Sequence, residues 1–370
     1  MDVPHFNPGF LHFAISVLAR QIVTCSGHLS TQQLRSNYSL RIVRVMEGYT
    51  ESWLQLEAAT GGRVALQGSA SAMRDQFAGL IAALSPNYPA IPDGIKTFDG
   101  VVDGVPYRVY CPRQASQASP LPIGIFLHGG GLVLGDLECE HMLCHTLCEQ
   151  SNTVLVSVDY RLAPEHKHPA QMQDTITVLE WAYANAPSFG GDAERLYTIG
   201  SSAGGTLALL AAREIMLGRS KVPGNSLRGV VTVGPVTVHP DNVPSQFQAD
   251  YKSYTDFGEG APVITRATMT SFLEFAGMAP DDPSCFLLLD RESLSKFPLV
   301  YIATTGCDPL RDDGRALASA LRDAGVRVWE DSYPGLPHAF WYFNTLPEFQ
   351  GFIRDTVAGI NLVLNADASK

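Results

Sequence analysis

No stretch of this 370-residue chain approaches the ~18–20 consecutive apolar residues that cross a bilayer. The most apolar N-terminal piece, residues 10–23, contains His12 and Arg20 and follows an acidic start. It lacks the positive leader and small-residue cleavage site of a secretory signal, so an amphipathic helix and a cytoplasmic location are the expectations. Basic residues are also short: 26 Lys+Arg against 37 Asp+Glu give a formal net charge of −11. Such a chain has no net attraction for phosphate backbones, and nucleic acid is not an expected partner. Seven cysteines form no CxxC pair, which argues against a zinc knuckle and a disulfide framework. Cys139, Cys144 and Cys148 lie near His141 and His145 at spacings that can share a helical face. Small core residues are the simpler reading, and no metal or organic cofactor is expected. The Asn37-Tyr38-Ser39 sequon arises easily by chance. Internal repeats and low-complexity tracts are absent.

What remains is globular composition, 45% hydrophobic and 17% charged, enough to build a sizeable core. Residues 1–95 carry helix-like pieces, with Met73, Phe77, Leu80, Ile81 and Leu84 on one face at a period of 3.6. Pro86, Pro89 and Pro92 then break the pattern. Residues 96–363 alternate short apolar runs with helical stretches. Strands are predicted at 123–127, 154–158, 196–199, 229–233, 299–304 and 326–333. Helices are predicted at 141–149, 170–186, 204–217, 314–324 and 349–364. This is the α/β class, a mainly parallel sheet with helices on both faces. Residues 236–282 carry no clear strand and read as an insertion over the sheet. Ligands in such sheets bind beyond the carboxyl ends of the strands.

Four such ends carry candidate chemistry. After the strand ending at Ile199 comes Gly200-Ser201-Ser202-Ala203-Gly204-Gly205, a G-x-S-x-G pattern on a strand-to-helix turn. Such a turn lifts the Ser202 hydroxyl clear of the backbone, and Ala203 at the helix start has a free N–H aimed where an oxyanion would form. After the strand at 123–127 comes His128-Gly129-Gly130-Gly131, a run expected by chance roughly 0.01 times here. Its glycines leave backbone donors unobstructed, and His128 reads as a hydrogen-bonded structural histidine. A serine nucleophile needs a base and an orienting acid. Only His239 and His338 follow Ser202. His338 sits just after a strand and is preferred, whereas His239 lies in the insertion and reads as a surface or pocket-wall residue. Asp308 follows the strand at 299–304, with Asp312 and Asp313 as rivals that also read as helix-start carboxylates. In Asp159 to Glu165, a buried Arg161 flanked by Asp159 and Glu165 would lock a loop near the site.

Together, His128-Gly129-Gly130-Gly131, Asp159 to Glu165, Gly200 to Gly205, Asp308-Pro309-Leu310 and His338-Ala339-Phe340 resemble the hormone-sensitive-lipase-like α/β-hydrolases, in that family's order. The resemblance implies the α/β-hydrolase fold with a helical cap formed by the N-terminal segment and the insertion at about 236–282. It implies a Ser202–Asp308–His338 triad, oxyanion donors from Gly130, Gly131 and Ala203, and a serine ester hydrolase. The partner would be a small-molecule ester or thioester, of small or medium hydrophobic character. One position departs: the family commonly carries Asp before the nucleophile, where this chain has Ser201. Val236-Thr237-Val238-His239-Pro240 and residues 308–314 further resemble fungal esterase-type members, some from natural-product pathways. An acyltransferase, thioesterase or cyclase could use the same triad, and a non-catalytic binding member would be expected to lack the Ser or the His. The C-terminal helix offers faces on which two copies could pair.

Overall fold

The runs that are apolar at every position become the centre of one sheet. In the computed structural model, which describes residues 48–366, eight strands are present. They are β1 (Ile95–Val102), β2 (Val105–Pro112), β3 (Leu121–Leu127), β4 (Val154–Val158), β5 (Gly191–Ser201), β6 (Leu227–Val233), β7 (Leu299–Cys307) and β8 (Val328–Pro337). Their order across the sheet is β1-β2-β4-β3-β5-β6-β7-β8. β2 runs antiparallel to β1 and to β4, and every other neighbouring pair is parallel. All residues of β3 and β4 are buried, which requires cover on both faces.

That cover comes from α3 (His141–Ser151), α4 (Ala170–Asn185), α5 (Ala203–Met216), α7 (Arg311–Asp323) and α8 (Pro347–Leu364). α3 packs on α8, α4 packs on α5, and α7 lies against β7 and β8. These helices fall within three residues of their predicted bounds. Two features were not anticipated. The first is the β1–β2 hairpin, turned by Asp103 and Gly104 at φ 49 and 84. Positive φ at both turn residues matches the twist of a two-residue hairpin loop. The second is β8, which begins two residues later than predicted and continues to Pro337, immediately before His338.

Two segments stand outside the sheet and its helices. Upstream are α1 (Glu51–Ala59), capped by the Thr50 side chain, and α2 (Ala70–Leu84), capped by Ser69. Met73 and Phe77 of α2 are buried, with Leu80, Ile81 and Leu84 packed partly against the core. Between β6 and β7 lie α6 (Arg266–Ala276), two single-turn α-helices and one 3-10 turn, with no named strand. Backbone bonds join the two segments: Leu66 N–H donates to Val263 O at 2.9 Å, and Val263 N–H to Val64 O at 2.9 Å. The expectations for residues 10–23, Cys25 and Asn37 lie outside the described residues. No helix among the described residues is long and apolar enough to cross a membrane. Cys139, Cys144 and Cys148 are buried free thiols, and no His/Cys/Asp/Glu group suited to a metal occurs among the described residues.

Candidate active site

The turn between β5 and α5 is tight because its glycines permit it. A Cβ on Gly204 would stand 1.9 Å from the Leu127 carbonyl of β3, so only a hydrogen fits. Ser202 takes φ 54 and ψ −125, a conformation rare for a residue with a side chain and costly outside functional sites. Its N–H donates to Val233 O at 2.7 Å, which fixes the strained turn against β6. The side chain projects to His338, with Oγ and Nε2 2.9 Å apart. On the other side of the ring, Nδ1 lies 2.8 Å from Asp308 Oδ2. An ionised carboxylate only accepts, so Nδ1 carries the proton and Nε2 is free to accept from the serine hydroxyl. Asp308 is fully buried and is itself aimed by Thr305 Oγ1 at 2.6 Å and Leu310 N–H at 2.7 Å.

The glycine loop after β3 lies beside the Ser202 and His338 side chains. Gly130 has φ 114, and a Cβ there would lie 2.3 Å from Leu134 O; Gly131 has φ 66, and a Cβ would lie 2.3 Å from the Phe272 ring. Neither position admits another residue without displacement. Among the described residues, the N–H groups of Gly130, Gly131 and Ala203 donate to no backbone carbonyl. Gly130 and Gly131 line the same small cavity as Ser202 and His338. This cavity measures about 20 Å³, close to the space of one water, and its other walls are mainly apolar, including Leu66, Phe77, Val263 and Phe272. A serine hydroxyl bonded to a carboxylate-held imidazole, beside N–H groups that donate to no backbone carbonyl, is an arrangement able to carry acyl transfer through a covalent intermediate.

His128 is held by its neighbours. It is buried, stacks on Tyr160 at 4.1 Å between centroids, and lies with Nδ1 2.7 Å from Gly129 O. Burial lowers its pKa to about 4, so the ring stays neutral. The reading of Arg161 needs correction. It is half-exposed rather than buried, and it pairs with Asp174 of α4 at 2.7 Å, not with Asp159 or Glu165. Glu165 instead receives two bonds from Arg74 of α2, at 2.6 and 2.8 Å. Sequence proximity to Arg161 thus does not decide its ion-pair partner. Asp312 and Asp313 start α7 but do more than that. Asp313 accepts from Thr237 N–H at 2.9 Å and from Tyr251 at 2.6 Å, while Asp312 accepts from Lys252 and Ser253 N–H at 2.7 Å. Both hold the insertion in place. His239 is edge-on to Phe286 at 5.9 Å between centroids, and among the described residues no bond links it to Ser202.

Glu140 was missed. It is buried, and its carboxylate accepts from Ser201 Oγ at 2.6 Å, Gly129 N–H at 2.9 Å and Trp341 Nε1 at 3.1 Å. Its only sequence signal is a charged residue just ahead of an apolar helix, which is also how a solvated helix start reads. Phe272 and Arg74 come from segments without motifs and were equally silent.

Residues 124–342 match the model of a family described as alpha/beta hydrolase fold. The versiconal hemiacetal acetate esterase of Dothistroma septosporum is 41% identical over 317 residues, covering 86% of this chain and 95% of that protein. A carboxylesterase of Mycobacterium tuberculosis is 34% identical, over 66% of this chain and 74% of its own. Among solved structures, vibralactone cyclase is similar with a TM-score of 0.77 and 28% identity, covering 87% of this chain and 96% of that one. A thermostable esterase from Pseudomonas putida has a TM-score of 0.73 and 26% identity, over 86% and 99% of the two chains.

Proposed function

The chain belongs to the α/β-hydrolase fold family, in its hormone-sensitive-lipase-like branch, and is a carboxylic ester hydrolase; from that premise we propose that it cleaves small acyl esters, acetates foremost, through a Ser202 acyl-enzyme. The observation that carries this is the hydrogen-bonded line Ser202–His338–Asp308 beside a cavity of about 20 Å³. His338 Nε2 takes the hydroxyl proton as Ser202 Oγ bonds to the ester carbonyl carbon. Asp308 holds the ring and stabilises its charged form. The oxygen of the tetrahedral intermediate receives N–H groups from Gly130, Gly131 and Ala203, each worth about 10²–10³ in turnover where such donors have been removed singly. His338 then protonates the leaving alcohol as the carbonyl–alkoxy bond breaks. Water, deprotonated by the same ring, releases the acid.

The small apolar space favours a methyl-sized acyl end over a long chain, and the similarity to acetate esterases of fungal metabolism supports the same reading. A large alcohol would then lie under the roof made by α2 and the insertion, which we read as the cap. Similarity to a cyclase supports a second reading, in which an internal nucleophile replaces water on the same acyl-enzyme. Product analysis separates the two. The primary test is hydrolysis of p-nitrophenyl esters from acetate to decanoate by wild type and Ser202→Ala. Acetate is expected to be fastest, with turnover lost about 10³-fold or more in the variant. Equal rates in both proteins would overturn the assignment of Ser202.

A further inference from the structure

Glu140 lies just before α3, outside every motif, yet three pieces of the site converge on it. Gly129 precedes the donor Gly130, Ser201 precedes the nucleophile, and Trp341 packs its ring against His338 at 5.1 Å between centroids. The Tyr342 side chain also favours the charged carboxylate. The carboxylate is 3% exposed, and among the described residues no cation pairs with it. Burying an unpaired charge is costly, and an apolar side chain of similar size would often serve stability better. An anion facing only donors is explained by what those donors belong to.

We propose that Glu140 is a positioning residue: one buried carboxylate that sets the register of the oxyanion loop, the nucleophile elbow and the loop behind the catalytic histidine. It takes over the place of the acidic group that the family commonly carries on the elbow, where this chain has Ser201. The inference rests on reading Ser202 as nucleophile and deepens that reading.

The ionised form fits its surroundings. Two of its partners are N–H groups, which cannot accept; of these hydrogen bonds, protonation can reverse only the one to the Ser201 hydroxyl. Burial raises the Glu140 pKa to about 7, and these four groups restrain the rise. The surrounding groups stay neutral: the Cys139 and Cys144 thiols and the Tyr88, Tyr160 and Tyr342 phenols are all raised by burial, and His128 is lowered. Asp136, which faces Cys139 and His128, is the other nearby carboxylate. Glu140 is thus the carboxylate at this junction whose protonation burial brings toward neutral pH.

The test is Glu140→Gln, nearly isosteric, assayed with p-nitrophenyl acetate from pH 5 to 9. Rates are normalised to sites labelled by a fluorophosphonate. An amide must oppose a donor to either Gly129 or Trp341, and displacement near 1 Å costs about 10²-fold. The expected result is a kcat fall of about 10²-fold with KM changed less than about threefold, since Glu140 touches no substrate. The acid limb should be less steep in the variant than in wild type, because the Glu140 proton is gone. Ser201→Asp added to Glu140→Gln returns a carboxylate to the nest and is expected to recover at least about tenfold. Ser201→Ala, which cuts one bond and leaves Glu140 in place, is expected to cost about tenfold and serves if Glu140→Gln does not fold. A kcat within twofold of wild type at every pH, or a loss of thermal midpoint alone, would overturn the proposal. A fully active Ser202→Ala would instead overturn the reading beneath it.

Discussion

Replacing Phe272 by alanine removes the ring that lies over Gly131 and closes the cavity beside Ser202. The helix that carries it should stay seated, because Thr268 Oγ1 bonds Leu66 O at 2.7 Å and Leu66 pairs with Val263 through the backbone. Phe272 is 3% exposed, so the loss of packing is real, and phenylalanine-to-alanine changes in cores cost about 3–5 kcal/mol. One side of this ring faces the cavity, which puts the cost toward the lower figure. The effect on selectivity follows from transfer energies. Butyrate carries two methylenes more than acetate, and each buried methylene is worth about 0.8 kcal/mol. Admitting both should favour butyrate by about 1.6 kcal/mol, or about 15-fold in relative kcat/KM. The assay is the ratio of kcat/KM for p-nitrophenyl butyrate over acetate, measured below the thermal midpoint of each protein. Phe272→Leu should move the ratio in the same direction by less, at a smaller stability cost. A ratio within twofold of wild type in a folded Phe272→Ala protein would refute the argument, because the ring would then not limit the acyl chain.

Two further outcomes follow from the same geometry. Asp308→Asn keeps the shape but presents an amide to His338 Nδ1, which favours the wrong tautomer; kcat should fall by about 10⁴ with circular dichroism unchanged. Burial raises the Asp313 carboxyl from its ordinary range to about 7. A carboxyl raised by folding stabilises the fold fully below its unfolded pKa, and that contribution is lost as pH rises through about 7. The thermal midpoint should therefore decline more steeply from pH 5 to 8 in wild type than in Asp313→Asn, as read by calorimetry.

Much of this architecture is legible in the sequence, for a physical reason. β3 and β4 are buried on both faces, so nearly every residue is apolar and the signal survives without knowledge of neighbours. The elbow and glycine loop are legible because backbone crowding admits so few residue types. β1 is different: it is an edge strand with half its residues exposed, so burial imposes no pattern on it. Its hairpin could have been found from Asp103-Gly104 alone, the one local signal present. The partners of charged residues were the other gap. Arg161 meets Asp174 thirteen positions on, and Glu165 meets Arg74 ninety-one positions back. Those distances are settled by the packing of α2 and α4, which sequence spacing does not encode. Glu140 fails for the same reason, since its role comes from three loops that meet only in the folded chain.

The join between residues 64–66 and Val263 has a consequence for how such a protein can diversify. Two segments some two hundred positions apart are stitched by main-chain bonds, and main-chain bonds are indifferent to side-chain identity. Leu66, Val263 and their neighbours can then change in size or polarity while the seam persists. On the proposed cap reading the roof is a frame with exchangeable panels, so its attachment and its selectivity can drift independently. New substrates become reachable by single replacements that leave the chemistry below untouched.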